Sequence, residues 1–156
     1  MIRYVYLGAT VLILQILSWL TSYFVTQQAV TTWYRDIEKS TLNPPDWVFA
    51  PVWIVLYAML GVVLWRLWLA RALKPARITL GLFLTQLAIN YAWSFVFFGM
   101  ANFQAAFLML LAIVILSAVT MIRAYSFDRM VTWLMIPYLA WVSFATWLTF
   151  AVMRLN

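Results

Sequence analysis

The chain contains no cysteine and no histidine. That excludes disulfides, Cys/His zinc sites and the usual thiol and imidazole nucleophiles. It also removes the commonest axial ligands for haem iron, leaving only Tyr and Met. Charge is scarce: four acids and ten basic residues in 156 positions, or 9% charged against about 25% for a soluble domain. With 67% hydrophobic residues, a chain this short has no means of hiding its apolar surface from water. Lipid is therefore its solvent. The formal net charge of +6 does not indicate nucleic acid, because the basic residues sit at the ends of apolar runs, where membrane orientation requires them. No cleavable signal peptide is expected, since the first apolar run is too long and lacks a small-residue cleavage site.

What remains is a set of long apolar runs. About 20 such residues cross a bilayer, and five stretches qualify: roughly 4–25, 44–69, 78–98, 103–122 and 130–153. Backbone groups in lipid must be paired within the segment, so these read as helices rather than alternating barrel strands. The fold expected is an all-α membrane protein, a five-transmembrane-helix bundle, with residues 1–156 forming one membrane domain. No internal repeat or flexible linker is visible. Asn43 suits an N-cap for the second helix, Pro44 its first position and Asp46 a capping-box acid. Ala101 and Asn102 make a very short turn, so the third and fourth helices should be antiparallel neighbours.

Basic residues set the orientation. Arg3, Arg66, Arg71, Lys74, Arg77, Arg123 and Arg129 fall on one face, and Arg35, Lys39 and Arg154 on the other. For an inner membrane, the excess puts the N-terminus in the cytoplasm and the loop 27–43 outside. The expected location is a bacterial cell membrane.

The spans contain no acid, which argues against a proton- or sodium-coupled pump. They offer instead neutral polar and aromatic side chains at helical spacing: Gln86, Asn90, Trp93 and Phe97; Trp53, Tyr57 and Gly61; Tyr138, Trp141 and Ala145; and Gln15, Ser18 and Ser22. Each set shares one helix face. Gln86 and Asn90 read equally well as interhelical glue. Trp19, Trp33, Trp65, Trp68 and Trp133 lie near span ends and read as interfacial anchors. Trp53 and Trp141 lie about a turn further in. Pro51 and Pro137 free the carbonyls of Trp47 and Trp133 and should kink the second and fifth helices. The segment 33–57 packs three Trp, two Tyr, three Pro and five charges into 25 positions. It reads as the lid and first wall of a pocket for a flat apolar ligand.

Four blocks carry a resemblance to a known family: W-Y-x-x-x-x-K at Trp33 to Lys39, N-P-P-D-W-V-F-A-P-V-W at Asn43 to Trp53, Q-L-A-I-N-Y-A-W-S-F-V-F-F-G at Gln86 to Gly99, and P-Y-L-A-W-V-S-F-A-T at Pro137 to Thr146. From about Trp33 onward the chain resembles the translocator protein/tryptophan-rich sensory protein family (TspO/MBR, the peripheral benzodiazepine receptor family). The resemblance implies a five-helix bundle, commonly a homodimer, with a pocket under the first long loop. It implies no required cofactor. The implied ligands are porphyrins such as protoporphyrin IX or haem, and uncharged drug-like molecules, with roles in tetrapyrrole sensing, regulation or transport. Trp53 and Trp141 are the tryptophans implied for light-dependent porphyrin breakdown, an enzyme-like alternative; a sterol or small-molecule transporter is another. Tyr57, Gln86, Asn90, Trp93, Tyr138, Phe144 and Ala145 are implied to line or border the cavity. Trp33, Arg35, Lys39, Pro44 and Pro45 belong to the implied lid, where Arg35 or Lys39 could pair with propionates. Gly81 and Thr85 form a small-x-x-x-small pair suited to a dimer interface. The chain also departs from the family pattern. Lys39-Ser40-Thr41-Leu42 replaces a K-P-x-W motif, so a lid tryptophan is missing. Thr149 stands where the family has Asn, and Phe150 where the animal cholesterol motif has Tyr. Sterol specificity is therefore not implied.

Overall fold

A computed structural model describes residues 2–156, with side chains from residue 4; the Arg3 side chain, counted above for orientation, lies outside the described residues. Five helices are long and apolar enough to cross a membrane: α1 (Tyr4–Thr31), α2 (Asp46–Leu69), α3 (Lys74–Gly99), α4 (Phe103–Ala124) and α5 (Arg129–Leu155). No strand occurs among the described residues. The protein is thus an all-helical, multi-pass integral membrane protein.

The chain order is not the spatial order. α1 packs on α2, α2 on α5, α5 on α4 and α4 on α3. The ring closes where the end of α1 meets α3. α2 and α3 make fewer contacts with each other than with their other neighbours. α1 is the most lipid-exposed helix: Tyr4, Leu12 and Trp19 show 73%, 62% and 62% of their surface. Its attachment to α2 passes through Gly61, where a Cβ would fall 2.6 Å from the Cα of Val11. The absence of a side chain at Gly61 lets two backbones approach, the arrangement lipid-embedded helices favour.

The helix ends follow local chemistry. α1 runs to Thr31 rather than ending near residue 25, passing through a π-helical turn at Ser22–Thr26. α3 ends in a second π turn, Phe95–Gly99. The two π turns pack against each other. Their wider rings re-aim the side chains at this end of the bundle, as π turns near functional sites do. α2 begins later than expected, with a 3₁₀ turn at Asp46–Val48. Pro44 precedes Pro45, and a residue before proline is driven out of the helical region. Pro45 is itself extended, at ψ 143°. Asn43 therefore does not cap the helix; its amide donates to the Pro44 carbonyl at 3.0 Å. Pro51 falls in the first turn of the α-helical part, Phe49–Leu69, where N–H groups lack intrahelical acceptors anyway. Pro137 lies in the interior of α5.

The turn between α3 and α4 is as short as expected. Asn102 caps α4 by accepting from the Ala105 N–H at 3.0 Å, and Ala101 holds a positive φ of 50°. At the opposite end, Asp128 caps α5, accepting from Met130 and Val131 N–H groups. The same carboxylate takes a two-pronged contact from Arg66 at the end of α2, at 2.8 and 3.0 Å. This pair fastens α2 to α5 at the basic face.

Candidate functional site

At the other end of the bundle the helices part around a cavity of about 700 Å³. α1 contributes Gln15, Ser18, Trp19 and Ser22; α2 contributes Phe49, Trp53 and Tyr57; α3 contributes Asn90, Trp93 and Phe97; α5 contributes Trp141, Ala145, Leu148 and Thr149. α4 supplies no wall. The loop adds Tyr34 and Asn43, and Asp46 stands at the start of α2.

The aromatic walls are ordered by ring contacts. Trp53 stacks on Tyr57 with centroids 5.3 Å apart, and Tyr57 stacks on Tyr91 at 5.2 Å and 9°. Trp93 stacks on Phe97 at 5.0 Å, and Phe49 meets Trp141 edge-on at 5.8 Å. Such contacts add to area burial and hold each ring in one orientation. The indole N–H groups of Trp93 and Trp141 are buried and have no hydrogen-bond partner among the described residues.

A polar chain lies beneath the aromatic floor. The Tyr57 hydroxyl donates to Asn90 Oδ1 at 2.5 Å, and Asn90 Nδ2 donates to the Tyr138 hydroxyl at 3.2 Å. Tyr138 in turn donates to Gln86 Oε1 at 2.7 Å, which also accepts from Ser117 at 3.4 Å. The chain joins α2, α3, α5 and α4 within the buried interior. In lipid, such bonds replace the hydrophobic effect as a reason for helices to associate.

The structure therefore divides the residues expected around the pocket. Trp53, Tyr57, Asn90, Trp93, Trp141 and Ala145 line it. Gln86 and Tyr138 are fully buried behind the wall and reach the cavity only through Asn90. Phe144 packs between Trp141 and Trp147, outside the lining. Thr149, where the sequence departs from the family pattern, faces the cavity, as does Leu148. Phe150 is 42% exposed and packs on Phe107.

The loop expected to form a lid is a packed structure. Tyr34 is buried against Phe97 and Phe98, while Trp33 lies on Phe97 and Phe103. The Lys39 ammonium sits 4.0 Å above the Tyr34 ring. Arg35 is exposed and donates to the Thr31 carbonyl. Pro44 and Pro45 border the mouth without lining the cavity. Asn156 clips the loop to the end of α5: it accepts from the Glu38 N–H at 3.1 Å and donates to the Glu38 carbonyl at 3.0 Å. Burial, reinforced by the Asp46 charge, pushes the Tyr34 phenol up to about 12, with the Asn43 side chain pulling the other way. Among the described residues no cluster of acids could hold a metal ion.

Sequence reasoning missed Tyr34, Asn43 and Asp46 as lining residues, although all three lie in the segment it singled out. It also missed the Glu38–Asn156 clip, which no periodicity encodes. Gly81 and Thr85 lie exposed on α3, and no heavy atom comes within 4 Å of a Cβ built on Gly81.

Comparison with known proteins gives a consistent result. The sequence profile of the TspO/MBR family matches residues 9–155, which adds α1 to the region of resemblance. The chain is 38% identical over 133 residues to the tryptophan-rich protein TspO of Archaeoglobus fulgidus, covering 85% of this chain and 86% of that one. It is 36% identical over 126 residues to the human translocator protein, covering 80% and 75%. It is 35% identical over 124 residues to the tryptophan-rich sensory protein of Cereibacter sphaeroides, covering 80% and 77%.

Proposed function

The chain belongs to the TspO/MBR family, and on that premise we propose that its cavity is a binding site for porphyrins and similarly flat, largely apolar molecules, serving tetrapyrrole sensing, regulation or transport. The observation that carries this reading is the cavity itself: about 700 Å³, walled by Trp53, Trp93 and Trp141 on three different helices. That volume is in the range of small-molecule sites, which are mostly apolar with a few placed polar groups. A macrocycle offers π-faces on which these rings stack. Asp46 at the mouth repels carboxylates, so propionates would lie towards Lys39 and Arg35. A homodimer through the Gly81–Thr85 face of α3 is part of the same reading. Its check is Gly81→Leu, which should convert dimer to monomer in light scattering without loss of fold; an unchanged dimer puts the interface elsewhere.

A second reading is favoured by one observation, that Trp53 and Trp141 both line the cavity. A bound porphyrin absorbing light would then have oxidisable indoles beside it. Titration of the purified protein with protoporphyrin IX, in darkness and under illumination, tests both readings. Saturable quenching of Trp fluorescence with an unchanged porphyrin spectrum supports binding alone. New absorption bands under light that are lost in Trp53→Phe and Trp141→Phe support photochemistry. Absence of saturable binding sinks both.

A further inference from the structure

The two membrane faces differ sharply in charge. The cavity end carries Arg35, Lys39 and Arg154 against Asp36, Glu38 and Asp46, and is neutral. The other end carries Arg66, Arg71, Lys74, Arg77, Arg123 and Arg129 against Asp128 alone. Arg66 is committed to Asp128, and the remaining five cations have no carboxylate partner among the described residues. We propose that this face is a docking surface for anionic phospholipid headgroups, held by Arg71, Lys74, Arg77, Arg123 and Arg129.

An excess of positive charge orients the protein, but orientation alone does not require the cations to be built into the surface. Here several are. The Arg71 guanidinium lies 4.3 Å from the Trp68 ring, and that of Arg129 lies 5.0 Å from the Tyr125 ring. Both rings are themselves exposed, at 46% and 53%. Aromatic rings of this kind sit at headgroup depth; Arg71 Nη1 also donates to the Trp68 carbonyl at 2.7 Å, and stacking leaves the other N–H groups of the two guanidinium forks for phosphate. Arg123 is half-buried, and its Nε has no hydrogen-bond partner among the described residues. Lipid rather than a free anion fits because exposed apolar residues adjoin the cations in sequence: Ile78 after Arg77, Ile122 before Arg123 and Met130 after Arg129. A ligand with both a phosphate and acyl chains satisfies the two kinds of surface together.

The test is native mass spectrometry of the full chain released from nanodiscs made of equal parts phosphatidylglycerol and phosphatidylcholine. The expected result is preferential retention of phosphatidylglycerol. Arg123→Gln and Arg129→Gln should each reduce that preference by about fivefold, as befits a surface cation beside anionic lipid. Arg35→Gln, on the neutral face, should leave it unchanged. In wild type the preference should fade as ionic strength rises, a readout that holds even if a variant folds poorly. Equal retention of the two lipids, a preference indifferent to salt, or variants that keep the full preference would overturn the proposal. Millimolar inorganic phosphate should not displace the lipid; if it does, the surface takes free anions and the lipid assignment fails.

Discussion

Gly61→Ala places one methyl group at the α1–α2 crossing. Its Cβ would stand 2.6 Å from the Cα and 3.0 Å from the N of Val11. Ordinary contact begins at 3.4 Å, so the helices must separate by about 0.8 Å or α1 must rotate. The obstacle is backbone, which has no rotamer in which to retreat. Overpacking of this kind costs about 1–3 kcal/mol. Alanine recovers about 1 kcal/mol of helix propensity, which would confuse a comparison with wild type. Gly8→Ala supplies the control: it gains the same propensity, and nothing lies within 4 Å of its Cβ. The two variants should therefore differ by about 1–3 kcal/mol, with the propensity terms cancelling. α1 carries Gln15, Ser18 and Ser22 into the cavity wall, and Gln15 donates to the Ile54 carbonyl on α2 at 2.6 Å. Loosening the crossing should also lower ligand affinity in Gly61→Ala but not in Gly8→Ala. Thermal unfolding of both in the same detergent decides it. If Gly61→Ala unfolds at or above the temperature of Gly8→Ala, the crossing is not the close backbone contact described.

Three further outcomes are expected. Asn90→Leu removes the acceptor of Tyr57 and the donor to Tyr138, leaving buried hydroxyls short of partners at about 1–3 kcal/mol each; chemical denaturation should show it, and Tyr57→Phe should be far milder. Tyr34 ionises more reluctantly in the folded protein than the ordinary value of 10.0 allows, at about 12. The neutral phenol is thus favoured by folding, so its contribution is complete below pH 10 and lost as pH rises towards 12; stability measured across that window should fall in wild type and flatten in Tyr34→Phe. Arg35→Ala combined with Lys39→Ala should weaken protoporphyrin IX binding, more at low salt than at high, while an uncharged drug-like ligand is hardly affected; equal losses for both ligands would show that the lid does not read propionates.

The bundle was legible because lipid leaves few alternatives. A run of about 20 apolar residues without charge has to be a helix, and the helix count and the α3–α4 turn follow from run lengths and from Ala101-Asn102. The helix ends were less so. The π turns in α1 and α3 leave no mark on a 3.6-residue pattern, so α1 was expected to stop six residues early. Asn43 looked like a cap because cap propensity is local, whereas the conformation of Pro44 is dictated by the proline that follows it. At the site, the spacing of Trp53 and Tyr57, and of Asn90 and Trp93, put each pair on one face, and both pairs line the cavity. The same spacing grouped Gln86 and Tyr138 with them. Periodicity gives the face but not the depth, and these two meet each other instead of the cavity. The Arg66–Asp128 pair and the Glu38–Asn156 clip join positions 62 and 118 residues apart, a separation no local pattern reports.

The proposed site for a flat ligand is the space between Trp53, Trp93 and Trp141. Filling that space tests it most directly. Ala145 lines the cavity from α5 beside Trp141, and Ala145→Trp would place an indole where the macrocycle is expected. The measurement is a dark titration of the variant and the wild-type protein with protoporphyrin IX, followed by the porphyrin absorption band, with thermal unfolding confirming that the variant is folded. Saturable binding by wild type and its loss in folded Ala145→Trp are expected. Equal affinity in the two proteins would mean that the porphyrin binds somewhere other than this cavity.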